Sequence, residues 1–252
     1  MTIDRRTFLS AAGGAIAASA LPASVAAREI AFPQELQAFE PVTVTAVATR
    51  QPVVAMTFDD GPHPTLTPRL LDILGQRGIR ATFYVIGSRA RRHPGLIRRI
   101  VAEGHEIGNH SWSHPYLNRR STDAMFNEID RTNQVVYDYT GLAPVTFRPP
   151  YGAFTQSQRR MLHEQRHMPT ILWSVDPQDW RRPGSSVVTS RILLRSHPGA
   201  IILSHDIHAA TIAAMPSTMD GLLSRGYEFA TMSQMLGWPT WQTRRFQQLR
   251  LS

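Results

Sequence analysis

The sequence predicts a parallel α/β fold, a closed or nearly closed barrel built as one domain. Short β-branched or apolar runs alternate with amphipathic segments at a regular beat from residue 53 to residue 230. The loops between them are short, so each helix returns the chain to a parallel neighbour. Seven strand-and-helix units can be counted, and that number suits a ring better than an open sheet. A length of 252 residues is ample for one sizeable core.

The first strand is residues 53–58. A helix over 66–77 follows, with Leu70, Leu71 and Leu74 on one face. After the strand at 81–86, the helix over 94–103 begins on Pro94, which the first turn tolerates, and keeps Ile97, Ile100 and Val101 in register. Residues 106–108 form the third strand. Ser121 and Thr122 can cap a helix over 123–139, where Met125, Phe126, Ile129, Val136 and Tyr137 recur at helical spacing. Strands at 145–147, 170–175, 200–203 and 227–230 alternate with helices over 155–165, 185–195 and 211–225, and Gly226 stops the last helix.

The ends are less regular. Residues 1–27 read as a twin-arginine-type signal peptide: Arg5-Arg6 precedes an Ala/Gly-rich apolar run over 8–21, then Pro22 and the small residues Ser24-Val25-Ala26-Ala27. The run is too short and too broken to stay as a membrane anchor. The expectation is therefore a protein exported to the periplasm or beyond. Residues 28–50 read as a linker, 51–236 as the one folded domain and 237–252 as an unpatterned tail.

Twenty-seven basic residues face 19 acidic ones, all the basic ones are arginine, and the formal net charge is +8. A complete absence of lysine reads as codon bias more than as selection for a binding face. The basic balance suits anionic wall polymers in the exported compartment, and no basic helix or aromatic platform points to nucleic acid. Cysteine is absent, which excludes disulfides, thiolate metal sites and cysteine nucleophiles. The expected state is a monomer.

Polar groups gather where the strands end. The exits read Asp59-Asp60-Gly61-Pro62, Asn109-His110-Ser111-Trp112-Ser113-His114, Arg148-Pro149-Pro150-Tyr151-Gly152, Asp176-Pro177-Gln178-Asp179-Trp180 and Ser204-His205-Asp206. In parallel α/β folds the chemistry sits at these carboxyl ends. His110 and His114 are four apart, so a helical turn would point both imidazoles at one metal ion. A carboxylate must complete the set, and the Asp59-Asp60 pair is the obvious donor: one can bind metal while the other takes a proton from water. Two histidines and a carboxylate leave positions open, as a catalytic metal site requires. His205 can act as the acid for a leaving amine, as a further ligand or as a buried core histidine. Arg148 and Asp179 read as groups that orient the base and the imidazole, and Tyr151 and Trp180 as aromatic walls.

Five strings in order, TFDDGP, HSWSH, RPPYG, DPQDW and LSHD, together with Ala81-Thr82-Phe83 and Gly104-His105-Glu106-Ile107-Gly108-Asn109-His110, closely resemble the polysaccharide deacetylases. These are the NodB-homology enzymes of carbohydrate esterase family 4, and the likeness spans roughly residues 53–236. The resemblance implies a distorted (β/α)7 barrel and one divalent metal ion, usually zinc with cobalt or nickel as alternatives, held by Asp60, His110 and His114. It implies Asp59 as general base, His205 as general acid, Arg148 and Asp179 as their supports, and the backbone N–H of Tyr151 as an oxyanion donor. The implied substrate is an N-acetylated glycan. Relatives on the same barrel that cleave acetylxylan esters or cyclic amides, and a non-catalytic wall-binding protein, are the competing expectations.

Overall fold

The structure is a computed structural model and describes residues 42–241. The signal-peptide reading at 1–27, the first part of the linker and most of the tail lie outside the described residues. The strands are β1 (Thr43–Val44), β2 (Val53–Asp59), β3 (Thr82–Val85), β4 (Glu106–Asn109), β5 (Thr170–Ile171), β6 (Ala200–His205) and β7 (Glu228–Phe229). The helices are α1 (Leu66–Gly75), α2 (Gly87–Arg92), α3 (Pro94–Ala102), α4 (Thr122–Thr140), α5 (Gln156–Arg166), α6 (Ser185–Arg195), α7 (Ala209–Ser224) and α8 (Met232–Leu236).

All strand pairings between these elements are parallel. The order β4-β3-β2-β6 is continuous. Single bridges complete the ring: Phe147 joins Asn109 to Thr170, and Val175 joins Ile202. β6 runs beside β2 from Val54 to Asp59 on one edge. On the other edge β7 pairs with Val53 and Val54, and β3 takes over from Thr57. β7 thus lies along the base of β2, below the point where the ladder to β3 begins, which makes the ring irregular.

Side chains of β2 alternate as a pleated strand requires. Val54, Met56 and Phe58 point outward into a layer with Leu70, Leu71, Leu74, Ile97 and Ile100 from α1 and α3. Val53 and Ala55 point inward with Tyr84, Ile171 and Ile201, and α8 plugs the base with Met232, Met235 and Leu236. The plug is fastened by the N–H of Met232 to Thr82 Oγ1 (2.9 Å) and of Ser233 to Glu106 Oε2 (2.8 Å). Above this floor the inward positions turn polar, and Thr57 and Asp59 open the site.

In its strands, helices and boundaries the structure departs from the sequence reading in four places. Residues 145–147 form no strand but a single bridging residue, Phe147, because Pro144 and Pro149-Pro150 bracket it and supply no N–H. The strand read at 170–175 keeps ladder pairing only at Thr170–Ile171 before its isolated bridge at Val175. Part of the stretch read as linker belongs to the barrel, since β1 lies beside β5 with Val44 buried. The short helix α2 has the sequence GSRARR, whose one apolar side chain, the buried Ala90, cannot show a periodicity. α4 is capped as expected, with Ser121 Oγ accepting from the N–H of Ala124 and Gly141 ending it in the left-handed region. Among the described residues no helix is long and apolar enough to cross a membrane.

Candidate active site

Register brings the exits together. Asp59, at the end of β2, stands opposite Tyr84 on one side and His205 on the other. Asn109 ends β4 opposite Val85, which delivers His110 to the same rim, and the N–H of Arg148 bonds to Asn109 O at 2.9 Å.

Asp60, His110 and His114 each turn one donor atom into a common space, all within 4.8 Å of one another. Asp60 Oδ1 lies 3.5 Å from His110 Nε2 and 3.2 Å from His114 Nε2, yet it is buried and has no hydrogen-bond donor. The backbone oxygen of Arg148 accepts from Nδ1 of His110 at 2.7 Å, which leaves Nε2 with its lone pair toward the cluster. Burial opposes the charge on Asp60, but the close approach and charge of His110, with His114 and His205 behind it, hold the carboxyl well below its usual range. Burial and the neighbouring His110 push His114 down to about 4, so it is neutral and available as a ligand.

The histidine pair does not sit on a helical turn, contrary to the sequence reading. Ser111 (φ 64°) and His114 (φ 62°) are left-handed, which an α-helix excludes. The loop is shaped by Asn109 instead: its Oδ1 accepts from the N–H of Ser111 at 2.8 Å, while its Nδ2 is held by Ile129 O and Asn133 of α4. The imidazoles still converge, with ring centres 5.0 Å apart. Asp60 (φ 73°) and Tyr151 (φ 60°) are also left-handed, so strained backbone collects around this rim.

Arg148 is fully buried and points up the barrel to Asp59, with Nη1 2.7 Å from Asp59 Oδ1 and 2.7 Å from Thr57 Oγ1. Its remaining N–H groups reach the carbonyls of Ile171 (3.3 Å) and Leu172 (3.1 Å), and its plane covers Tyr84 at 4.2 Å. Across the site, Asp179 Oδ1 is 2.7 Å from His205 Nδ1, and Oδ2 accepts from the N–H of His205 and from Thr211, each at 2.8 Å. Burial lowers His205, but the hydrogen bond and charge of Asp179, aided by Asp59 and Asp60, raise it to about 9. His205 therefore carries its proton at neutral pH. The same contacts outweigh burial at Asp179 and hold its carboxyl below the usual range.

Asp59, Asp60, His110, His114 and His205 line one cleft of about 510 Å³, with Arg148 and Asp179 buried behind them. Trp180 and Tyr151 stand exposed on its rim as aromatic walls. Tyr116 stacks on Tyr151 at 4.1 Å and is capped by Arg119 at 4.8 Å. Every predicted site residue is brought to this cleft or to a direct partner of a residue that lines it. Thr57, Thr211 and Tyr116 were missed, because a threonine within a strand or helix and a tyrosine in a loop carry no pattern of their own.

Comparison with known proteins agrees with this geometry. The family profile described as "Polysaccharide deacetylase" matches residues 46–168. The chain is 44% identical over 184 residues to the peptidoglycan-N-acetylglucosamine deacetylase PgdA of Listeria monocytogenes, covering 73% of this chain but only 39% of that protein. It is 36% identical over 197 residues to a chitooligosaccharide deacetylase of Bradyrhizobium, covering 72% of this chain and 90% of that one. Among solved structures, the Bc1960 peptidoglycan N-acetylglucosamine deacetylase superposes with a TM-score of 0.77 at 31% identity, covering 84% of this chain and all of that one. The fold, the five strand exits and these relatives agree, and the chain belongs to the polysaccharide deacetylase family, carbohydrate esterase family 4.

Proposed function

We propose that the protein is a metal-dependent hydrolase that removes acetyl groups from N-acetylglucosamine units of a glycan of chitooligosaccharide or peptidoglycan type, releasing acetate. One observation carries the reading. A carboxylate held by Arg148 and a protonated imidazole held by Asp179 occupy paired positions on β2 and β6, beside the Asp60–His110–His114 cluster.

The cluster fits a divalent cation. Its donors are two imidazole nitrogens and a carboxylate oxygen, and the buried Asp60 Oδ1 has no other partner. With no thiolate in the set, zinc is the natural occupant and cobalt or nickel are alternatives. Bound there, the cation supplies Lewis acidity to the acetamide carbonyl and to an attacking water. Asp59 accepts that water's proton, with Arg148 fixing the direction of its carboxylate. The backbone N–H of Tyr151 donates to the oxyanion as the carbonyl becomes tetrahedral. When the C–N bond breaks, His205 gives its proton to the departing amine nitrogen, and Asp179 stabilises the imidazolium beforehand. Tyr151 and Trp180 wall the sugar.

The arginine pair and apolar run of residues 1–27 support export by the twin-arginine route, where a basic monomer meets anionic wall polymers. The direct test is Asp59→Asn, assayed for acetate release from N-acetylglucosamine oligomers and from peptidoglycan. The variant loses activity and keeps its zinc content near that of the wild type. An active variant refutes Asp59 as the base.

A further inference from the structure

Asp206 directly follows His205 and has no part in the chemistry above, yet it is fully buried. Thr67, equally buried in the first turn of α1, donates its hydroxyl hydrogen to Asp206 Oδ2. The same threonine oxygen accepts the N–H of His63 at 2.7 Å. His63 closes the turn that starts at Asp60.

Gly61 lies in the middle of that turn with its backbone flat against the Asp206 carboxyl. A Cβ at Gly61 would come within 2.8 Å of the carboxyl carbon and closer still to both oxygens. Two more contacts hold the turn from the α2 side: Ile86 N–H to Gly61 O at 3.0 Å, and Arg89 Nη1 to Asp60 O at 2.8 Å. Together these contacts grip residues 60–63 from β6, α1 and α2.

The grip has a physical purpose. Asp60 is left-handed at φ 73°, a conformation that is unfavourable for an L-residue and persists only where the surroundings impose it. Asp206 is also an expensive way to fill space, since its Oδ1 is buried with no hydrogen-bond partner. A packing role alone would be met by an apolar side chain of the same size.

We infer that Asp206 and Thr67 are positioning residues that hold the Asp60–His63 turn, and with it the Asp60 carboxylate, in the geometry that binds the metal. The inference rests on the reading of Asp60, His110 and His114 as a metal centre. It links two strand exits: the fastening that sets the ligand following β2 hangs from the residue next to His205 at the end of β6.

The test is the zinc dissociation constant of the full chain, measured by chelator competition, with the thermal midpoint of the zinc-free protein as a second readout. Thr67→Val keeps shape and removes the hydroxyl, and Asp206→Ala removes the acceptor. Each weakens zinc binding by on the order of 10- to 100-fold, the range seen when groups orienting a metal ligand are lost. Thr67→Ser and Asp206→Asn retain the hydroxyl and the acceptor and restore binding to near the wild-type value. Folded Thr67→Val with wild-type zinc affinity overturns the inference, even if its thermal midpoint falls, because that is the signature of a purely structural contact. If Asp206→Ala does not fold, the Thr67 pair decides alone. Failure of the wild type to bind zinc refutes the metal-centre reading instead.

Discussion

Replacing Asp179 with asparagine removes the charge that holds the proton on His205. In the intact site His205 titrates at about 9, because the hydrogen bond and charge of Asp179 outweigh burial. Without the Asp179 charge, burial pulls the imidazole toward its ordinary value of 6.5 or below, while Asp59 and Asp60 offset only part of that fall. At pH 8 a group of pKa 9 is about 90% protonated and one of pKa 6.5 about 3%, roughly a 30-fold loss of the acid form. At pH 6 the corresponding fractions are about 100% and 76%, a loss of about 1.3-fold. The sign follows directly: a raised histidine pKa keeps the acid available as pH rises, and lowering it moves the basic limb of the rate profile to lower pH. Acetate release from an N-acetylglucosamine oligomer, measured from pH 5.5 to 9.5, shows Asp179→Asn falling behind the wild type progressively with pH. The widening comes to about 30-fold at pH 8, beyond any constant loss from the broken contacts to Thr211 and the His205 amide. A variant-to-wild-type ratio that does not change with pH refutes His205 as the general acid.

Two further outcomes follow from the same structure. Removing the metal with a chelator abolishes acetate release, and adding back zinc at 100 times its dissociation constant restores about 2.7 kcal/mol of stability, read as a rise in thermal midpoint. No such rise, with full activity retained in chelator, contradicts the metal reading. Glu106 is buried at the barrel floor, and burial raises its pKa above 4.5 despite its bonds to Ser233 and Thr82. The folded protein therefore holds a proton that the unfolded chain releases, and stability declines as pH climbs from 4.5 toward the raised value. Glu106→Gln removes that decline, so its advantage in thermal midpoint over the wild type is smallest near pH 4.5 and widens toward neutral pH. A difference that stays constant across that range refutes the assignment.

Much of the architecture is legible in the residues themselves. The helical period of Leu70, Leu71 and Leu74, and the buried run of β2, report side chains whose burial repeats along one element. The site is legible for a related reason: charged and imidazole side chains seldom end several strands of one sheet without a common ligand. What stays hidden is non-local. Closure of the ring through Phe147 and Val175 rests on single bridges with no period. Convergence of His110 and His114 comes from left-handed backbone set by Asn109, although a spacing of four suggested a helical turn. Thr57 and Thr211 act only through partners more than 30 residues away.

The pairing of β7 and the plug of α8 at the barrel base bear on how the protein is made. β2 leaves the ribosome well before two of its partners, is buried along its whole length in the finished fold, and finds β6 across about 145 residues of chain and β7 later still. Its neighbour Thr82 meets Met232 only after 150 residues. Until those partners arrive, the strand that carries Asp59 has β3 beside its upper end and an apolar edge with no partner on the β6 side, in a topology with many late, distant contacts that close slowly. The nascent chain is most exposed to misassociation just before residues 200–236 leave the ribosome, and a chain cut short of them lacks the partners that shield this strand.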